Sequence, residues 1–267
     1  MVLEYYSGLL INGEIFRINF ITVMILANLA IGIFLVGMYI NLKKWGMGST
    51  GYGKEPSGSI FAFPRMLAQQ MSEHAHVHNQ SVLETFVLDI LFQRRILRRS
   101  PLRWFMHFTI FFGWMALFVL SLAMFAVEMV YISAEAMGIH DLPDFLVPTL
   151  LRDMLAVPND IFSYILLTGI IIAIYRRLFI AKMREATIAY DSILLIGLTA
   201  ITVTGFIADG IRTERLWGFG LDPSLAPPTA LFHVVISLLF CIAYIPFSKY
   251  IHMIAIPLAL LANKGGE

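Results

Sequence analysis

Hydrophobic residues along this chain fall into long, nearly uninterrupted runs, and polar residues collect between them. Five runs approach or exceed the roughly 20 residues that a helix needs to cross the hydrocarbon core of a bilayer. They cover residues 19–41, 104–131, 160–175, 190–208 and 229–250. The pattern predicts an all-α fold, an integral membrane bundle of five transmembrane helices.

Composition strengthens this prediction. Hydrophobic residues make up 58% of the chain and charged residues only 14%, which excludes an ordinary soluble domain. We expect one membrane-embedded domain over residues 1–267, spanning the cytoplasmic membrane several times. No basic region or small-residue cleavage site precedes the first run, so we expect no removable signal peptide.

The basic residues are distributed unevenly between the loops. The segments after the first, third and fifth runs, together with Lys249 at the inner end of the fifth run, hold 15 of the 19 Lys and Arg residues. Short loops rich in Lys and Arg stay in the cytoplasm. The sequence therefore predicts an external N-terminus and a cytoplasmic C-terminus.

The long inner loop, residues 43–103, carries two further patterns. Its end, "DILFQRRILRRS", has apolar residues at helical spacing opposite arginines, which predicts a surface helix that either anchors in headgroups or docks a soluble partner. Its "EHAHVH" segment holds His74, His76 and His78. This cluster is either a metal site or a solvated or partner-facing loop.

Histidines at the depth of the spans are candidate functional residues, because ionisable groups are costly there. His107 lies near the inner end of the second span, His233 at the outer start of the fifth, and His252 at its inner end. In a continuous helix, His233 and His252 would be separated by about 28 Å. Two inner-face histidines on different helices can hold one haem iron from both sides.

Cysteine usage limits the redox chemistry that the chain can perform. It has one cysteine, Cys241, which is too few for a four-thiolate cluster or an intramolecular disulfide. We expect Cys241 to pack as a small apolar residue, and any iron–sulfur cluster to belong to a partner.

Three segments resemble a known family. The runs "LFQRRILRRSPLRWFMHFTIFFGW", "VTGFIADGIR" and "HVVISLLFCIAYIPFSKYIHM" resemble the nitrate-reductase gamma-type cytochrome b family, and within it the membrane cytochrome b of heterodisulfide reductase from methanogenic archaea. The resemblance extends over nearly the whole chain.

The resemblance implies a haem b subunit that transfers electrons within a membrane-bound oxidoreductase complex. Such a protein oxidises a reduced membrane carrier, methanophenazine or a quinol. It passes electrons to a cytoplasmic iron–sulfur subunit, which reduces the CoM-S-S-CoB heterodisulfide, and protons are released outside. This chain alone would not act on a disulfide, and no nucleic acid is expected as a partner.

The resemblance also assigns the haem ligands. His107 and His252 match the axial pair of the inner haem, and His233 matches the fifth-span ligand of an outer haem. The family carries a second histidine ten residues further along the second span, where this chain has Leu117. Either His233 holds an outer haem with Met115, Met124 or no residue as sixth ligand, or the chain binds the inner haem alone.

Carrier oxidation releases protons, which require an acceptor near the outer face. Asp209 and Arg212 stand where the fourth span leaves the membrane, and Glu128 lies near the outer end of the second. A carboxylate there can take a proton from the carrier, with Arg212 tuning its acidity. The same residues also suit an ordinary interfacial ion pair.

Two other classes of function remain to be separated from this one. A non-redox membrane anchor would need the same spans but no haem. A small transporter would place charged residues near the membrane midplane, whereas these spans keep theirs at the ends.

Overall fold

The computed structural model describes residues 13–47, 59–75, 82–139, 141–213 and 220–262. Within them the regular structure is helical, without a strand. The α-helices used below are α1 Gly13–Gly46, α2 Ala62–Ala75, α3 Arg94–Arg99, α4 Pro101–Ala136, α5 Pro148–Phe179, α6 Ala181–Glu185, α7 Ala189–Thr213, α8 Ala226–Leu238 and α9 His252–Ala262.

The prediction of an all-α membrane bundle is confirmed. Five helical segments of the described chain are long and apolar enough to cross a bilayer: Thr22–Gly46, Pro101–Ala134, Leu150–Phe179, Ala189–Ile211 and Ala226–Ala243. Each overlaps one predicted run. The protein is therefore a multi-pass membrane protein.

The third span begins earlier than its hydrophobic run indicated. Helix α5 starts at Pro148, about three turns before residue 160, and continues through Pro158. Proline suits the first turn of a helix because the N–H that it lacks has no helical acceptor there. Polar residues such as Asp153 and Asp160 lie on this early part and hid it from a hydrophobicity pattern.

The chain forms two compact units. One comprises Leu91–Thr187, with the second and third spans; the other comprises Met1–Ile90 and Ile188–Glu267, with the first, fourth and fifth spans. We call them the His107 unit and the His233 unit, after one histidine of each.

Glycines bring helices α4 and α5 together in the His107 unit. A Cβ atom added at Gly113 would lie 2.9 Å from the backbone nitrogen of Leu166, and one added at Gly169 would lie 2.5 Å from Thr109 Oγ1. Small residues let two membrane helices approach until their backbones are in contact. Dispersion forces along this contact hold the pair together, since lipid tails are as apolar as the side chains.

The fifth span is interrupted, which corrects the prediction of one helix over residues 229–250. Helix α8 passes into a π-helical turn, Leu239–Ala243, and two short 3-10 turns, Ile245–Phe247 and Lys249–Ile251, precede α9. Pro246 lacks the N–H that would continue the helix, and Ser248 is extended at φ −125° and ψ 178°. The 28 Å spacing of His233 and His252 assumed a straight helix and therefore no longer follows.

The helix predicted in "DILFQRRILRRS" is interrupted at Gln93, and its placement at the membrane surface or against a partner stays a prediction. A π-helix, Thr85–Leu91, ends just before Gln93, which adopts a left-handed conformation at φ 52° and ψ 42°. Helix α3 starts only after this residue. A left-handed residue reverses the sense of the backbone, so the apolar and basic positions on its two sides do not share one helix face.

Candidate functional site

His107 lies near the start of α4 and contacts a side chain from the segment before α3. Its Nδ1 is 2.8 Å from Oε1 of Gln93. An amide oxygen can only accept, so Nδ1 carries the ring proton and donates it to Gln93. The neutral imidazole then has its lone pair on Nε2, the nitrogen that can bind a metal.

Aromatic rings surround the segment that presents Gln93. Trp104, Phe108 and Phe112 follow each other at helical spacing on α4, with centroids 5.1 Å and 5.3 Å apart. Phe92 stacks on Phe108 at 6.2 Å, and the indole N–H of Trp104 donates to the Phe92 backbone carbonyl at 2.7 Å. The residue before Gln93 is thus held by both its ring and its backbone.

His233, on α8, faces helix α7 within the His233 unit. Its Nδ1 donates to the Ile201 backbone carbonyl at 3.0 Å and lies 3.2 Å from Thr204 Oγ1. The Thr204 hydroxyl itself donates to the Ala200 carbonyl at 2.7 Å, which leaves its oxygen as an acceptor for the imidazole. A Cβ atom at Gly205 would lie 3.0 Å from Cε1 of His233, so the absence of a side chain there makes room for the ring.

His252 is the first residue of α9 and belongs to the same unit as His233. Its Nδ1 donates to the backbone carbonyl of Lys249, one turn earlier. The ammonium group of Lys249 lies 2.7 Å from a carboxylate oxygen of Asp191, at the start of α7. This ion pair ties the short turn that carries the acceptor of His252 to the fourth span.

The three histidines share one feature. In each of them Nδ1 contacts a carbonyl oxygen, from Gln93, Ile201 or Lys249, and a carbonyl oxygen can only accept. Histidines that bind metals are held in this way, with the second ring N–H on an outer acceptor. A histidine that only faces lipid headgroups needs no fixed tautomer. The donor set therefore fits haem, whose iron takes axial imidazoles.

The predicted acid–base residues have different surroundings. Glu128 pairs with Arg152 of α5, with Oε1 3.6 Å from the guanidinium, inside the His107 unit. Asp209 is half-buried on α7 in the His233 unit. Arg212 is in α7 as well, but its side chain lies outside the described residues, so its predicted effect on Asp209 stays a prediction.

The remaining candidates are placed as follows. Met115, Leu117 and Met124 are all on α4, in the His107 unit, and Cys241 is half-buried in the π-helical turn of the fifth span. His76, His78 and the side chain of His74 lie outside the described residues. In the part of the chain that the structure describes, no group of three His, Cys, Asp or Glu residues is placed to hold a metal ion.

Sequence reasoning missed the residues that surround the histidines. Gln93, Thr204, Gly205 and Arg152 were not singled out, because none forms a motif with its histidine or carboxylate. Gln93 stands 14 positions before His107, and Thr204 stands 29 before His233. The sequence signals available were weak: a glutamine between an apolar run and arginines, and a glycine in "VTGFIADG".

The fold and these side chains define a helical, multi-pass membrane protein whose three candidate histidines each contact a carbonyl oxygen through Nδ1. The model of the HdrE family, the E-type subunits of dihydromethanophenazine:CoB--CoM heterodisulfide reductase, matches residues 83–260. The chain belongs to this family. The wider placement among gamma-type cytochromes b stays a prediction.

Full-length relatives carry the same name. The HdrE protein of Methanosarcina mazei is 57% identical over 99% of this chain and 100% of its own length. That of Methanosarcina acetivorans is 56% identical over 99% and 98%, and that of Methanosarcina barkeri is 55% identical over 98% of each. No solved structure matches the chain.

Proposed function

We propose that this chain is the haem b membrane subunit of a heterodisulfide reductase. It takes two electrons from a reduced carrier in the bilayer, dihydromethanophenazine or a quinol, and passes them to a cytoplasmic iron–sulfur subunit. That partner reduces the CoM-S-S-CoB heterodisulfide to two thiols. The carrier's two protons leave on the outer side. The names of the relatives support the two substrates.

The shared tautomer of the three histidines carries the haem assignment. His107 and His252 are proposed as the residues that would hold the inner haem, and each contacts a carbonyl oxygen through its Nδ1. Haem iron, when bound, supplies a one-electron carrier between the two-electron carrier and the iron–sulfur partner. The histidines orient and retain it, and their acceptors hold each ring in the ligating form.

His233 is proposed as a ligand of an outer haem. Its Nδ1 contacts the Ile201 carbonyl and the Thr204 hydroxyl of α7. The position of the family's second histidine is Leu117, so the sixth ligand is Met115 or Met124 or is missing. Either the chain holds this outer haem through one imidazole, or it binds the inner haem alone.

Glu128 is proposed to receive a proton from the carrier, and Arg152 holds its carboxylate at 3.6 Å. Asp209, on the fourth span, is the proposed second acceptor, with Arg212 near it in sequence. A carboxylate near the carrier can take a proton as the carrier loses electrons and becomes more acidic. This arrangement would couple oxidation of the carrier to proton release.

The test is a reduced-minus-oxidised visible spectrum of the complex, wild type and variants. His107→Ala and His252→Ala each remove one imidazole from the same iron, so both should lose the low-spin b signal and electron transfer to the partner. His233→Ala should keep that signal and change only an outer component. Haem content is measured as pyridine haemochrome per chain.

A full low-spin spectrum in His107→Ala would contradict the inner-haem assignment. A wild-type complex with no b-type spectrum would show instead a membrane anchor without a redox role. The variants should still insert, because loss of a polar side chain from a span does not oppose insertion.

A further inference from the structure

Gln93 connects an unusual backbone conformation to a proposed haem ligand. It is the only non-glycine residue with positive φ among the residues that the structure describes, at φ 52° and ψ 42°. The residue is 7% exposed, and its Oε1 lies 2.8 Å from His107 Nδ1. Left-handed conformations of residues with a side chain are costly and persist where the surroundings enforce them, frequently at functional sites.

The surroundings of Gln93 enforce this conformation through the backbone. The Gln93 carbonyl accepts from the N–H groups of Ile96 and Leu97 at 2.9 Å and 3.2 Å, and Trp104 holds the carbonyl of Phe92. A π-helix, which is common beside functional sites, ends two residues earlier. These contacts fix where the Gln93 side chain begins.

The amide of Gln93 does not serve the helix that follows it. Gln93 occupies the N-cap position of α3, yet its side chain makes no capping hydrogen bond. The side chain is directed to His107 instead. The turn before α3 therefore accounts for the backbone conformation of Gln93, but not for the contact between its amide and His107.

We propose that Gln93 is a positioning residue for His107: its amide oxygen holds the imidazole as the Nδ1–H tautomer and aims Nε2 at the haem iron. This inference rests on the proposed function and deepens it. His233 and His252 use backbone carbonyls for the same purpose. A backbone carbonyl stays in place whichever side chain is substituted at the residue that carries it. Gln93 is the one acceptor of the three that a point mutation can change.

The strength of this acceptor sets a property of the haem that can be measured. A stronger acceptor draws the Nδ1 proton away and makes Nε2 a better electron donor, which favours ferric iron. The midpoint potential of the inner haem then falls. A missing acceptor has the opposite effect and also frees the ring to rotate about the iron–nitrogen bond.

Two variants separate the hydrogen bond from the turn. Gln93→Gly removes the amide while glycine accepts the left-handed backbone readily, so the turn before α3 is kept. Gln93→Glu keeps the length of the side chain and its acceptor but makes the acceptor an anion. Gln69→Glu is the matched control, since it makes the same charge change on an exposed glutamine of α2, in the same loop.

The measurements are the midpoint potential and the EPR g-values of each low-spin haem in the complex with its partner subunit. We expect the inner-haem potential to fall in Gln93→Glu, and to rise with a changed largest g-value in Gln93→Gly. Gln69→Glu should match the wild type.

Wild-type potential and g-values in both Gln93 variants would overturn the proposal. Loss of the haem from Gln93→Glu would also overturn it, because a stronger acceptor preserves the ligating tautomer. An equal shift of the potential in Gln69→Glu would also overturn the proposal, because the shift would then come from the added charge and not from the hydrogen bond to His107. The proposed function has its own test. It fails if the wild type shows no b signal, or if His107→Ala leaves that signal unchanged.

Discussion

Each candidate histidine is positioned by neighbours of a different kind. Gln93 supplies a side-chain acceptor to His107, whereas Ile201 supplies a backbone carbonyl to His233. Gly205 contributes by having no side chain, which leaves space for the His233 ring. A small residue next to an imidazole decides whether the ring can approach the helix that carries its acceptor.

Gly205→Ala should destabilise the protein through this contact. The new Cβ atom would lie 3.0 Å from His233 Cε1, and overpacking of this kind costs about 1–3 kcal/mol. Gly32→Ala is the control, since a Cβ atom there meets nothing within 4 Å. Both variants gain about 1 kcal/mol of helix propensity.

Thermal unfolding in detergent should therefore rank Gly205→Ala below Gly32→Ala. Equal melting temperatures would mean that the His233 ring moves aside without cost.

The residue types at the proposed ligand positions could be predicted from sequence, since histidines in apolar runs stand out. Their acceptors could not, because a hydrogen bond between residues 93 and 107 or 201 and 233 leaves no pattern along the chain.

The break in the fifth span is held in place by another helix. A Cβ atom at Gly37 of α1 would lie 2.5 Å from the Cβ of Pro246, so α1 and the break are in close contact. Asn41, one turn further along α1, donates from Nδ2 to the carbonyls of Gly37 and Pro246, both at 2.9 Å. The first span therefore stabilises the turn that leads to His252.

Asn41→Ala should loosen this turn. The Gly37 carbonyl also receives a bond from the helix itself, but Pro246 loses a donor 205 positions away in sequence, at a cost of about 1 kcal/mol. Asn28→Ala is matched to it, because the Asn28 amide donates only within α1, to Met24 at 2.8 Å.

We expect Asn41→Ala to melt at a lower temperature than Asn28→Ala, and limited proteolysis to cut it sooner near residues 244–251. The same melting temperature and cleavage rate in the two variants would argue against a stabilising role for Asn41. Hydrophobicity alone predicted one continuous span here, because the turn residues Tyr244, Ile245 and Phe247 are as apolar as the helix before them.

One ion pair in each unit is consistent with spans that alternate in direction across the membrane. Glu128 and Arg152, which the topology places on the outer side, lie 3.6 Å apart in the His107 unit. Asp191 and Lys249, which it places on the inner side, lie 2.7 Å apart in the His233 unit. Each pair joins residues that the sequence assigned to one face of the membrane.

The absolute orientation of the whole molecule is a prediction from the basic residues. Since 15 of 19 Lys and Arg belong to the segments after the odd-numbered spans, a reporter fused after Glu267 should be active in the cytoplasm. A reporter fused in the loop around residue 140 should be inactive there. The opposite result would exchange the faces assigned to all three histidines.

The sequence by itself determined the solvent, the fold class and the family of this protein. A run of about 20 apolar residues has one stable arrangement in a bilayer, a helix, because every backbone N–H and C=O must be satisfied within the segment. It also singled out the candidate ligand residues, since ionisable residues in such runs are rare.

Only the tertiary structure decided what holds those side chains. The break at Pro246 and the gap at Gly205 arise from contacts between helices far apart in sequence, and the left-handed Gln93 from a turn that packs against α4. Such contacts depend on which helix faces pack together, and dispersion forces and single hydrogen bonds choose among those faces. Neither leaves a periodic signal in the chain, so the acceptors of His107, His233 and His252 became visible only in three dimensions.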